Sequence, residues 1–130
     1  MALETVRLSE MQRDQLQRVK RATGIGNWNI LCRWSLCLSL AEEAEPTPVP
    51  HGVDSGVEMT WKVFGGPYSD VYRALILAKL AKNGQEGNEE IFADYFRRHL
   101  HRGIGILNAL IAGKSVDEMG LLAIGGYLPR

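Results

Sequence analysis

Cysteine is scarce in this chain, with two residues in 130, and the two stand five apart in an apolar segment. That spacing is neither a CxxC redox pair nor half of a zinc site, and on a helix it turns Cys32 and Cys37 to different faces. Both read as reduced thiols buried as small hydrophobes. Net charge is missing too: 15 Lys and Arg balance 15 Asp and Glu. The protein as a whole therefore neither attracts nor repels a polyanion, and any electrostatic function must be local. No long apolar run exists. The longest, Ile30 to Ala41, is interrupted by Arg33 and falls short of the roughly 20 residues that span a bilayer, so no membrane helix is expected.

Motifs of chemistry are lacking as well. There is no G-x-S-x-G elbow, no P-loop, no H-E-x-x-H and no Cys–His pair at a recognisable spacing. The carboxylates Asp54, Glu58, Asp70, Glu89, Glu90, Asp94, Asp117 and Glu118 nearly all fall at proposed helix starts, where capping and the helix dipole account for them. His99 and His101 are two apart and point to different sides of a helix, so they cannot share a metal as an i, i+4 pair can. No catalytic residue, metal site or cofactor is assigned. The first ten residues carry Glu4, Arg7 and Glu10 and lack the pattern of a secretory signal, which makes a cytoplasmic location the expectation.

What is present reads as mainly α: a single compact helical domain over residues 1–130 with a short N-terminal strand, in a ribbon-helix-helix-like order. A hydrophobic content of 45% is ample for one core and thin for two. Leu3 to Leu8 alternates as a strand does, yet this strand has nothing nearby to pair with. Ser9 then opens a helix, with Gln12 as its capping-box partner and Gly24 as its stop. On the wheel Met11, Leu16, Val19 and Ala22 form a dry face, and Arg13, Gln17, Lys20 and Arg21 a wet one.

Trp28 to Ala41 is apolar almost all round, so that helix must be central or buried between subunits. Glu42 to Pro50 reads as an exposed acidic, Pro-rich loop running to about residue 54. Ser55 with Glu58 gives an S-x-x-E start for a short helix from Val57 to Phe64, stopped by Gly65-Gly66-Pro67. A further helix fits Tyr68 to Asn83, with Val71, Tyr72, Leu75 and Ile76 as its buried side. The longest periodic segment runs from Glu89 to about Ala112, where Gly103 and Gly105 allow a bend or a close crossing. A last short helix is expected from Ser115, before an irregular tail from Gly125 to Arg130.

Three constellations could carry binding. In ribbon-helix-helix proteins two chains pair their single strands and the ribbon enters the major groove; here Thr5 and Arg7 would then face the DNA. The second is the basic face Arg13, Lys20 and Arg21, with Arg7 before it and Arg18 on its flank, which a DNA backbone would accept. A charged outer face is also what any amphipathic helix shows to water. The third is Phe96-Arg97-Arg98-His99-Leu100-His101-Arg102, which suits a second phosphate contact or the acidic loop of a neighbouring subunit. Gly24 and Gly26 could cradle phosphate, but a helix stop explains them. Trp28, Trp34 and Trp61 fit core packing better than base stacking, with Trp28 the most exposed.

Gly24-Ile25-Gly26-Asn27-Trp28-Asn29 running into Ile30-Leu31-Cys32-Arg33-Trp34, then Met59 to Gly66, then Phe96 to Gly105, resemble the DndE family of DNA sulfur modification proteins in order and spacing. The resemblance covers nearly the whole chain. It implies a helical protein that self-associates, as a tetramer, and binds duplex DNA with a liking for nicks. It also implies partners: a sulfurtransferase and an ATPase that take part in replacing a phosphate oxygen of DNA by sulfur. Carried over, it implies surface cations as the DNA contacts, and the basic face read above places them at Arg13, Arg18, Lys20 and Arg21, with Arg7 before them. The turn Gly24, Ile25, Gly26 and Asn27, together with Trp28, would line the subunit interface. A structural adaptor joining the sulfurtransferase and ATPase subunits is the alternative, and an enzyme that nicks DNA has the least support.

Overall fold

The computed structural model describes residues 4–50, 52–85 and 87–112. The chain runs β1 (Thr5–Ser9), α1 (Glu10–Thr23), α2 (Trp28–Leu40), β2 (Asp54–Thr60), α3 (Trp61–Gly65), a single 3-10 turn (Gly66–Tyr68), α4 (Ser69–Lys82) and α5 (Glu89–Ile111). The helix expected from Ser115 lies outside the described residues.

The N-terminal strand has a partner inside its own chain. β1 pairs antiparallel with β2, setting Thr5 opposite Thr60, Val6 opposite Met59 and Arg7 opposite Glu58. The strand read as having nothing in its own chain to pair with thus lies in an internal ribbon, and the helix read over Val57 to Phe64 divides at Thr60. Its first half alternates Val57 and Met59 inward against exposed Glu58 and Thr60, the period of a strand. Its second half begins where the Thr60 hydroxyl accepts from the Val63 amide and caps α3. The Ser55 signal is spent elsewhere: its hydroxyl donates to the Leu8 carbonyl at 2.8 Å and accepts from the Val57 amide.

α1 keeps its expected ends. Ser9 Oγ accepts from the Gln12 amide, Gln12 Oε1 accepts from the Ser9 amide, and Gly24 closes the helix at φ 75° with its N–H on the Lys20 carbonyl. Its dry face is rotated from the wheel reading: Gln12, Leu16, Val19 and Thr23 are buried while Met11 is half exposed. Burial of Gln12 is possible because both ends of its amide are bonded.

α5 is the central element, packed against α2 and α1. At its crossing with α2 a Cβ on Gly103 would overlap the Ser35 carbonyl oxygen, so the two backbones touch where side chains would otherwise separate them. The serines on that face of α2 are buried; Ser35 satisfies its hydroxyl on the Leu31 carbonyl at 2.8 Å. Above the crossing Trp61, Phe64, Phe92 and Phe96 stack edge to face or tilted at centroid distances of 5.1 to 5.9 Å, within the range that favours aromatic pairs. Arg73 lies over the Phe92 ring at 4.5 Å.

Two other sequence readings change. On α4 the buried residues are Ile76 and Leu80, with Tyr72 half-buried, while Val71 and Leu75 face out. Of the two thiols, Cys32 is buried, and burial pushes it up to about 12; Cys37 lies at the surface. Among the described residues no helix is long and apolar enough to cross a membrane.

The two glycines of α5 give opposite expectations. Gly103→Ala forces α2 and α5 apart and costs about 3 kcal/mol, at the upper end of overpacking. Gly105→Ala meets open space and stabilises by roughly 0.5–1 kcal/mol through helix propensity. Urea unfolding midpoints of the two variants check the pair.

Candidate nucleic-acid interface

The five cations singled out in the sequence are not equivalent once folded. Arg7 pairs with Glu58 across the ribbon at 3.1 Å. Arg13 sits 3.0 Å from Asp14 and 4.0 Å from Glu10, so its charge is largely matched locally. The Lys20 ammonium lies 3.4 Å from the centre of the Trp28 ring, a cation–π contact that holds the amine on the surface without neutralising it. Arg18 Nε donates to Asn108 Oδ1 at 3.3 Å, reaching from α1 to α5. Arg21 is exposed. Arg18 and Arg21, with Asn108 and Ile111, line a groove of about 440 Å³. The cations left to face a partner are thus Arg18, Lys20 and Arg21.

The turn after α1 is used for capping and packing. Gly24, Gly26 and Asn27 are exposed, while Ile25 and Trp28 pack against the core. The larger exposed apolar area lies elsewhere, on Val63 of α3, Tyr68 and then Val71 and Leu75 of α4, with Trp34 of α2 also outward. Trp61, by contrast, is in the core.

The basic run of α5 splits by helical position. Arg98 is bound to Asp94 at 2.8 Å. Arg102 turns to α2 and the acidic loop of its own chain: Nε donates to Ser39 Oγ at 2.9 Å, Nη2 to the Ser39 carbonyl at 2.8 Å and Nη1 to the Ala44 carbonyl at 2.6 Å. Ser39 Oγ in turn meets His99 Nδ1 at 2.8 Å. A hydroxyl has two lone pairs as well as its hydrogen, so Ser39 Oγ serves Arg102 and the imidazole together, while His99 Nε2 is buried with no hydrogen-bond partner among the described residues. Lys79 Nζ donates to the Leu40 and Glu42 carbonyls, both at 2.7 Å, and the Tyr95 hydroxyl donates to the Glu45 carboxylate at 2.9 Å. The acidic stretch is therefore strapped down by its backbone. Burial, then the bond to Glu45, pushes Tyr95 up to about 12. Arg97 and His101 point another way, into a cleft bordered by Arg7, Met11, Val49 and Leu100. Both belong to the basic run that the sequence offers as a second phosphate contact, and their i, i+4 spacing sets them over one strip of the helix.

Fold and surface together define the class: a mainly helical protein with a short internal ribbon and cations gathered along the α1–α5 seam. The crystal structure of DndE from Escherichia coli B7A, involved in DNA phosphorothioation modification, has the same fold, with a TM-score of 0.63, 21% identity, and 82% of this chain and 98% of that chain covered. Among curated proteins nothing matches the chain. The family profile of the DNA sulphur modification protein DndE matches residues 5–114. The chain belongs to the DndE family, and its role lies in DNA sulphur modification.

The strap has a pH signature. Burial first, then the Arg102 and Lys79 charges, lowers His99 to about 4. Between that value and about 6.5 the unfolded chain binds a proton that the folded chain refuses, so stability falls as pH drops through this window. The expected loss is on the order of 3 kcal/mol. Denaturant unfolding from pH 7 to pH 4 checks it: His99→Asn should flatten the profile in that window, whereas an unchanged profile would mean other groups govern it.

Proposed function

We propose that this chain is a DNA-binding accessory subunit of the phosphorothioation machinery, holding duplex DNA, nicked duplex in particular, on the basic surface formed by Arg18, Lys20 and Arg21. The observation that carries this reading is the division of the cations: these three face outward without an acidic partner among the described residues, in a protein of zero net charge. Family membership supplies the context of DNA sulfur chemistry. A sulfurtransferase and an ATPase subunit are its proposed partners, and homo-oligomerisation, as a tetramer, its proposed state. The chain acts without catalysis of its own, by holding the substrate, in the cytoplasm.

The test is binding of the purified protein to intact, nicked and single-stranded DNA of one sequence across a salt series. Each phosphate contact contributes a slope of about −0.9 in log K against log salt for duplex DNA. Arg18→Glu with Arg21→Glu is expected to weaken binding by more than about tenfold. Arg13→Glu, whose cation is already paired, should weaken it less. Equal effects would remove the assigned surface, and no binding to any DNA would remove the reading.

One feature favours the second reading, a structural adaptor between the sulfurtransferase and ATPase subunits. Val71 and Leu75 lie one turn apart on α4 at 52% and 49% exposure, with exposed Tyr68 just before the helix, and exposed apolar residues gathered in this way mark interaction sites. Under this reading the partner proteins retain the chain without DNA, and Val71→Glu with Leu75→Glu abolishes that retention while DNA affinity is unchanged. Retention that survives both substitutions counts against this face.

A further inference from the structure

We propose that the cleft between the start of α1 and the middle of α5 is a site for a phosphoryl oxyanion, held by Arg97, Arg7 and the Nε2–H of His101. It rests on the DNA-binding reading only for its source, a backbone phosphate of DNA; the site itself is a statement about oxyanion chemistry.

The cleft encloses about 440 Å³. Arg97 and His101 are one helical turn apart on α5, so both side chains stand over the same strip of surface. Arg7 enters from β1 on the other side. The two carboxylates nearby are engaged: Asp94 holds Arg98 at 2.8 Å and Glu58 holds Arg7 at 3.1 Å. Arg97 thus supplies the uncompensated cation, and Arg7 a shared one.

The imidazole is set by a chain of bonds that begins at the helix cap. The Ser9 N–H is a donor, so the Gln12 atom 2.9 Å away must be the amide oxygen. The Gln12 amide nitrogen then faces His101 Nδ1 at 3.2 Å. An NH₂ can only donate, so Nδ1 is the acceptor and the ring hydrogen sits on Nε2. Burial holds the His101 pKa below the ordinary value, which keeps that neutral tautomer at neutral pH. His101 is thereby a fixed N–H donor, and an oxyanion between it and the two guanidiniums would have a donor on each side.

The cleft is also in line with the basic groove already described. Gln12 meets His101 and, farther along, Arg18 meets Asn108, so α1 and α5 run in the same direction and share one seam. From Arg97 to Asn108 the helical rise amounts to roughly 16 Å. Phosphates of one duplex strand advance about 3.4 Å along the axis per step, so that length corresponds to about five steps. One backbone laid along the seam would meet cations at both ends.

The experiment has two arms. In the first, the Arg97 side-chain Nε and His101 imidazole nitrogen signals are followed by NMR while inorganic phosphate is added, against chloride at matched ionic strength. Saturable phosphate-specific shifts of both are expected in the unmodified protein, with the His101 shift lost in Arg97→Ala. In the second, Arg97→Ala is expected to weaken duplex DNA binding roughly tenfold and to reduce the salt slope by about 0.9. Phosphate shifts with unchanged DNA affinity would keep the site and assign it to free phosphate. Phosphate shifts in a protein that binds no DNA would keep the site while removing the DNA reading. If neither phosphate nor DNA responds to Arg97, the proposal is overturned, and Arg18 and Arg21 still decide the DNA reading separately.

Discussion

The close backbone contact of Gly103 with Ser35 is the constraint on which the rest of this fold depends. With α2 and α5 in direct touch, Ser39 comes within reach of both His99 and Arg102, and the guanidinium can extend past α2 to the loop beyond it. The same approach leaves the other side of α5 to α1 and the ribbon. A larger residue at position 103 would therefore disturb more than local packing: the loop strap and the α1–α5 seam are both referenced to the same helix.

Much of this was legible in the amino-acid order. Ser9, Gln12 and Gly24 specify α1 through local chemistry, and the period of Phe92, Phe96, Leu100, Ile104, Leu107 and Ile111 specifies α5, because caps and helical stripes depend on near neighbours. The β2 strand was not legible. Val57, Met59 and Trp61 fit two periods at once, and the deciding fact, that β1 pairs with this segment, is a long-range one. The buried side of α4 failed for a related reason: its apolar residues lie all round, so no moment singles out the face that meets the core. At the candidate site, the basic composition of α1 was visible, but the pairing of Arg13 with its own neighbours and the burial of Gln12 depend on side-chain directions that the wheel does not carry.

Charge neutrality here is a matter of arrangement. Arg7 and Arg13 face acids, Arg98 is held one turn from Asp94, and Arg102 and Lys79 are consumed by carbonyls of the acidic segment. What was expected as a loop free to answer a neighbour's cations is bound to those of its own chain. Arg18, Arg21 and Arg97 lie along the α1–α5 seam without an acidic partner among the described residues, a local field with little reach beyond the roughly 8–10 Å over which salt screens it. Such a surface discriminates contact from mere approach, which is what the proposed DNA-holding role asks of it.

Gln12 closes both the helix cap and the seam. Glutamate is the other residue that a capping box accepts at this place, and its carboxylate would serve the Ser9 amide equally well. It would not serve His101: a carboxylate cannot donate, so it would draw the ring hydrogen to Nδ1 and leave Nε2 facing outward as a lone pair, repelling any anion that came near. A substitution that every local rule counts as conservative would thus reverse the polarity of a side chain 89 positions away in sequence.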